Sequence, residues 1–211
     1  MVTKLQTLTV DETQVTNGAK DAIEYGLPYR LEVTLTGTSG LLFHAWNIAS
    51  IAEKASSAKG SASKKTDNIT SYVYRDEHGN LGIPGQNLAS CLAIAGKFRQ
   101  DPRSPRKSAF DLCKAGIVPL SDVASFQPAT ANWDYEDARR VTIQRAGITR
   151  IRPAMRAGWV ATFDLLITTP EYLSVPFMAD LLSQAGRLVG LCDFRPTFGR
   201  FAIVTMLAHE P

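Results

Sequence analysis

Two stretches of the chain alternate apolar and polar residues with a period of two. From Tyr29 to Thr36, Tyr29, Leu31, Val33 and Leu35 point one way and Arg30, Glu32, Thr34 and Thr36 the other. From Gly158 onward, Trp159, Ala161, Phe163, Leu165 and Ile167 share a face in the same manner. Successive side chains of a strand point to opposite faces, so both stretches predict half-buried strands. Two other stretches repeat at helical spacing. Pro84 and Gly85 open a helix with Leu88, Cys91, Leu92 and Ala95 on one face and Phe98 continuing it. Ser174 caps a second helix, in which Phe177, Leu181, Ala185 and Leu188 line one side, Met178 and Leu182 lie beside them, and Gly190 ends the run.

Weaker signals fill the gaps. Tyr72-Val73-Tyr74 reads as a short strand, Asp76 to Asn80 as its turn and Leu81-Gly82-Ile83 as its return. Residues 99–114 read as a basic connection followed by a helical turn near Phe110, and Gly116 to Leu120 as a short strand. The segment up to Trp133 has no firm periodicity, and Arg200 to Leu207 forms a last strand. The order of strand, insertion, helix, strands, helix and strand fits an α+β fold of one domain over residues 1–211. The specific expectation is a ferredoxin-like, RRM-like βαββαβ antiparallel sheet with two helices on one face, leaving the other face free for an extended ligand.

Composition changes this picture at one place. Residues 50–71 are rich in Ala, Ser, Gly and Lys, with Lys54, Lys59, Lys64 and Lys65 among them. A stretch so poor in large apolar groups gains little by burial, so a mobile basic insertion is expected there. Long insertions of this kind in compact domains tend to be functional loops.

Charge changes it at another. The net charge is only +3, yet six arginines fall between Arg139 and Arg156 with no acid between Asp137 and Asp164. That is a local field and not a uniformly basic protein. Val141 and Ile143 alternate with Thr142 and Gln144, Gly147 interrupts as a bulge or bend would, and Arg150 and Arg152 share a face beyond it. Arginines held at fixed spacing on the open face of a strand suit phosphate oxygens. The competing reading is a solvated face whose arginines pair with acids elsewhere. Near the C-terminus, Phe194, Arg195, Phe198 and Arg200 alternate aromatic and cation, a mixture suited to base stacking beside phosphate. Asp193 is expected to pair with an arginine of that segment.

Other chemistry finds little support. The N-terminus has no basic region followed by an apolar run, and no stretch approaches the apolar length that spans a bilayer, so no membrane partner and a cytoplasmic location are expected. Cys91, Cys113 and Cys192 are widely separated and form no CxxC pair, and His44, His78 and His209 have no clustered carboxylates. No cofactor or metal is expected. P-loop, HExxH and GxSxG motifs are missing. His44 is read as a hydrogen-bonded core residue, with a general base for RNA cleavage as the alternative.

Two pieces together resemble a known family. GNLGIPGQNL, Gly79 to Leu88, resembles the IPGxxL element of the RAMP superfamily, the ferredoxin-like backbone and processing subunits of CRISPR effector complexes. GLCDFRPTFGRF, Gly190 to Phe201, sits where that superfamily keeps its glycine-rich loop. With TLTGTSGLLFH and KKTDNI, the pattern is similar to a group of uncharacterised phage and prophage proteins. The resemblance implies a single-stranded nucleic-acid-binding subunit that assembles along its ligand as a homo-oligomer or filament, in the bacterial host cytoplasm if phage-encoded.

The leading expectation is thus a non-enzymatic binder of single-stranded RNA or DNA. Lys59, Lys64, Lys65, Arg139, Arg140, Arg145, Arg150, Arg152, Arg156, Arg195 and Arg200 would contact phosphate, and Phe194 and Phe198 would stack on bases. A self-assembling phage structural protein and a metal-independent RAMP-like endoribonuclease are the alternatives.

Overall fold

The computed structural model describes residues 26–45, 69–143 and 146–209. The two alternating stretches form its centre. β1 (Tyr29–Gly37) runs antiparallel to β10 (Val160–Ile167), in register from Tyr29 opposite Ile167 to Thr36 opposite Val160. β11 (Phe201–His209) pairs with the other side of β1, and β6 (Ile117–Pro119) with the other side of β10. The result is a four-stranded antiparallel sheet in the order β11-β1-β10-β6.

One face of this sheet is the core. Leu31, Val33, Leu35, Phe163, Leu165 and Ile167 are fully buried. Side chains of this size each contribute roughly 1.5–3 kcal/mol when removed from water. They meet α1 (Gly85–Ala95), which buries Leu88, Cys91, Leu92 and Ala95, and α3 (Val175–Leu188), which buries Met178, Leu181, Leu182 and Ala185. The Ser174 hydroxyl caps α3 by accepting from the Phe177 N–H at 3.5 Å. A shorter helix, α2 (Phe110–Gly116), packs against α1. The molecule is therefore mixed α+β, with three α-helices among the described residues and antiparallel sheets. No helix among the described residues is long and apolar enough to cross a membrane.

Two expected helical ends differ. Phe98 ends a 3-10 turn over Gly96–Phe98 and is 58% exposed, because the change of pitch after Ala95 rotates it off the buried face. Leu188, in the last turn of α3, is also exposed.

The remaining strands make small sheets. β3 (Gly82–Pro84) pairs with β7 (Val123–Ser125). The expected return onto Tyr72-Val73-Tyr74 is reduced to an antiparallel bridge of Arg75 with Leu81 and the Gly82 N–H donating to the Tyr74 carbonyl at 3.2 Å, Tyr72 itself ending a 3-10 turn over Ile69–Tyr72. The expected turn at Asp76 to Asn80 is present: the Asp76 carboxylate accepts from the N–H groups of His78 and Asn80 at 2.9 and 2.8 Å. Residues expected as a plain basic connection form a hairpin of β4 (Gln100–Asp101) and β5 (Ser104–Ser108). Most of the expected 50–71 insertion lies outside the described residues.

The arginine-rich stretch is a hairpin and not one bent strand. β8 (Tyr135–Ile143) pairs with β9 (Ala146–Met155) from Tyr135 opposite Ala154 to Ile143 opposite Ala146. Gly147 sits in register opposite Thr142, so it marks no bulge. β9 continues onto β2 (Leu41–Leu42), giving a separate three-stranded sheet in the order β2-β9-β8. Arg139, Arg140, Arg150 and Arg152 thus lie on a second sheet and not on the four-stranded one.

Candidate nucleic-acid interface

The hairpin register decides which arginines act together. Alternation places Asp137 and Arg139 of β8 on one face with Arg150 and Arg152 of β9, where Asp137 lies opposite Arg152 and Arg139 opposite Arg150. Like charges directly across a ladder repel, so this arrangement needs local compensation. Arg139 finds it in Asp137, which accepts from its Nε at 2.6 Å and from Nη2 at 3.1 Å. Arg150 donates from Nη1 to the Tyr72 hydroxyl at 3.4 Å. Arg152 donates from Nε to the Asp193 carboxylate at 2.5 Å.

This face does not look outward alone, for it carries the loop from Gly190 to Arg200. The Arg139 guanidinium lies over the Phe198 ring at 4.5 Å and the Phe194 ring at 5.4 Å, and that of Arg152 over Phe194 at 5.9 Å. The two rings meet edge to face, 6.2 Å apart. Such cation–ring contacts hold a guanidinium and an aromatic in fixed relation. Asp193 pairs with Arg152 of the hairpin and not with an arginine of its own segment.

The loop is closed at its neck and turned sharply inside. Leu191 N–H donates to the Gly199 carbonyl at 2.8 Å, and Gly199 N–H to the Gly40 carbonyl at 2.8 Å. Gly199 has φ +76°, and a Cβ there would collide with the Leu191 backbone, so only glycine fits. Phe194 itself takes φ +57° and Cys192 φ +60°. A bulky side chain in the left-handed region is uncommon and costs of order 1–3 kcal/mol, which the surrounding contacts must offset. Phe194 remains 38% exposed in that conformation.

The loop's other side rests on the start of α1. The Cys192 N–H donates to the Asn87 side-chain carbonyl at 3.1 Å. Gly85 lies so close to the Ser121 carbonyl that a Cβ would clash, and Ile83 and Leu88 are fully buried. The IPGQNL segment is thus fixed by packing at Gly85, Ile83 and Leu88, and Asn87 joins it to the aromatic loop.

The expected site residues divide accordingly. Arg139, Arg152, Phe194 and Phe198 come together in one cluster, with Arg150 beside it. Arg152 is only 6% exposed and its Nη1 has no hydrogen-bond partner, so it is an interior strut. Arg140 projects from the opposite face of the hairpin and is exposed. Arg156 is exposed at the end of the hairpin, its guanidinium 5.4 Å from the Tyr135 ring. Arg195 and Arg200 are exposed on the loop, and Arg200 Nε donates to the Pro196 carbonyl at 2.8 Å. Lys59, Lys64, Lys65 and Arg145 lie outside the described residues.

His44 is exposed instead of buried in the core, its ring 4.6 Å from that of Tyr72. Burial pushes the thiols of Cys91 and Cys192 up to about 12 and that of Cys113 up to about 11, which keeps them protonated and poorly nucleophilic near neutrality. No group of three metal-ligating side chains occurs among the described residues.

Sequence reading missed Tyr72 and Asn87. Asn87 carries a faint signal, since a short amide in the first turn of a helix competes with helix hydrogen bonding and often serves a tertiary contact. The outer face of the four-stranded sheet, by contrast, offers little for nucleic acid. It presents Arg30, Glu32, Thr34 and Thr36 beside Val160, Thr162, Asp164 and Leu166, and Arg30 is paired with Asp164 at 2.7 Å. That face carries no aromatic on β1 or β10. No protein-family model matches the chain, and neither does any curated protein.

Proposed function

We propose that this protein binds single-stranded nucleic acid through the arginine hairpin and the loop from Gly190 to Arg200. The observation that carries the reading is the packing of Arg139 against both Phe198 and Phe194, with Phe194 left part-exposed. Unpaired bases present faces that stack on aromatic rings, and their backbone needs cations close by. Arg195 and Arg200 supply exposed charge on the loop that carries the ring pair, Arg156 adds one at the end of the hairpin, and Arg140 stands exposed on the hairpin's opposite face. Duplexes hide their base faces, so the same surface favours single strands.

The fold belongs to the same proposal. Counting only β1, α1, β6, β10, α3 and β11 gives the order βαββαβ, and the sheet order then reads fourth, first, third, second, which supports a ferredoxin-like arrangement. The contact between Asn87 and Cys192 supports the RAMP-like reading, because it joins the two segments on which that resemblance rests. Binding is then on the hairpin and loop and not on the outer sheet face used by RRM-like domains.

The test is fluorescence anisotropy of nuclease-treated protein with labelled single-stranded RNA, single-stranded DNA and duplex DNA at two salt concentrations. Salt-sensitive binding to a single strand, at least about tenfold tighter than to duplex, is expected. Equal affinity for duplex, or no binding, overturns the reading.

A further inference from the structure

Beside Phe194 the next residue, Arg195, turns to a different surface. It lines a cavity of about 310 Å³ together with Tyr74, Pro84, Gln86, Asn87 and Ser90. The size is near the lower end of the roughly 300–1,000 Å³ typical of ligand pockets, which suits one planar ring system better than an extended chain.

The chemistry of the walls is selective. A tyrosine ring and a guanidinium plane, the two kinds of flat surface on which splayed bases stack, both belong to the lining. Two side-chain amides, Gln86 and Asn87, stand on the first turn of α1. Amides pair with base edges because they carry a donor and an acceptor side by side. Asn87 is held in place, since its carbonyl oxygen already accepts from the Cys192 N–H and leaves its NH₂ as the group to offer. Gln86 Nε2 donates to the Ser90 hydroxyl at 3.4 Å, a long contact that an incoming edge can replace. Burial first, with the nearby Cys192 and Asp193 second, holds the Tyr74 hydroxyl above the ordinary phenol range, so it remains a donor near neutrality. No carboxylate lines the cavity.

We infer that this cavity is a base-reading pocket, which receives one unpaired nucleobase between Tyr74 and Arg195 and identifies its edge with Gln86 and Asn87. It rests on the single-strand reading above and adds base selectivity to it. The neighbouring Phe194 then stacks on the adjacent base, and the left-handed turn at that residue lets two successive side chains serve two sites.

Two other cavities among the described residues fit this ligand less well. The larger one between α1, α2 and β6, about 470 Å³, shares Gln86 and Ser90 with this pocket, but apart from Lys114 the rest of its lining is apolar, so it lacks a second amide and a guanidinium. The one around Trp159, about 320 Å³, includes the Asp134 carboxylate beside Arg156.

The experiment compares labelled eight-nucleotide homopolymers of adenine, cytosine and uracil, or thymine for DNA, by anisotropy. Wild-type protein is expected to prefer one of them by about tenfold or more, the discrimination that one well-placed edge contact supplies. Gln86 is exposed, so Gln86→Ala should fold normally and cut the preference to about threefold or less. Ser90→Ala, which frees the Gln86 amide, should retain or sharpen the preference. A wild-type protein that binds all homopolymers alike, or a preference that survives Gln86→Ala unchanged, overturns the pocket while leaving single-strand binding intact. Failure to bind any of them removes both readings.

Discussion

The four-stranded sheet and the arginine hairpin follow the same period-two rule with opposite content. In β1 and β10 the inward face is aliphatic and aromatic and needs nothing beyond exclusion of water. In β8 and β9 the inward face is Asp137, Arg139, Arg150 and Arg152, and it is tolerable only because specific partners meet each charge. Burial without direction stabilises the first region; paired charge and ring contacts hold the second. A hydrophobic face accepts many packings, whereas a charged face accepts few and so fixes the loop that lies on it. The difference teaches where function should sit: the aliphatic sheet supports, and the charged hairpin sets Phe194 and Phe198 in place.

The comparison can be broken from either side, starting with the largest effect. Phe163→Ala, in the centre of the aliphatic face, should cost about 3–5 kcal/mol in chemical denaturation through the cavity it leaves. If enough folded protein remains, its affinity for single strands should be unchanged. Arg152→Ala should cost about 2–3 kcal/mol, less than the ~3–5 of a fully buried pair, because the Asp193 carboxylate it abandons is a third exposed. Unlike Phe163→Ala, it should also weaken binding, since it frees the loop from the hairpin. A variant that loses stability and keeps full affinity would show that the strut is structural only.

Phe194→Ala should do the reverse. Loss of one base-stacking ring costs about 1–3 kcal/mol of affinity, roughly 5- to 150-fold, while stability changes little because the ring is part-exposed. The smallest effect lies outside the hairpin and the aromatic loop. The Ser125 hydroxyl, then Asn80 and the turn N–H groups, lower Asp76 to about 2. Its folded value lies below the unfolded one, so its contribution is complete above about pH 4 and is lost as pH falls toward 2. Asp76→Asn should therefore narrow the gap in thermal stability between pH 5 and pH 2, measured by circular dichroism, without affecting binding at pH 7.

Legibility in the sequence followed the same division. β1, β10, α1 and α3 could be read because each buries a continuous stripe, and Tyr29 to Thr36 or Met178 to Ala185 shows that stripe directly. β8 and β9 could be read as strands but not as a hairpin, since the reversal between Ile143 and Ala146 has no glycine in its two-residue link and Gly147 invited a bulge instead. The arginines were visible as a cluster, yet their division was not. Whether Arg152 is buried and Arg140 exposed depends on which element covers one face of the hairpin, and that element comes from residues 190–200, far along the chain. The contact of Asn87 with Cys192 was illegible for the same reason.

The most direct test of the account is photochemical crosslinking of the protein to single-stranded RNA or DNA, followed by mass spectrometry of the nucleotide-bearing peptides. The account places crosslinks on the Gly190–Arg200 segment, at Phe194 above all, with none on β1 or β10. Crosslinks on the outer sheet face, at peptides carrying Thr34 or Thr162 and not Phe194, would contradict it and return binding to the four-stranded sheet.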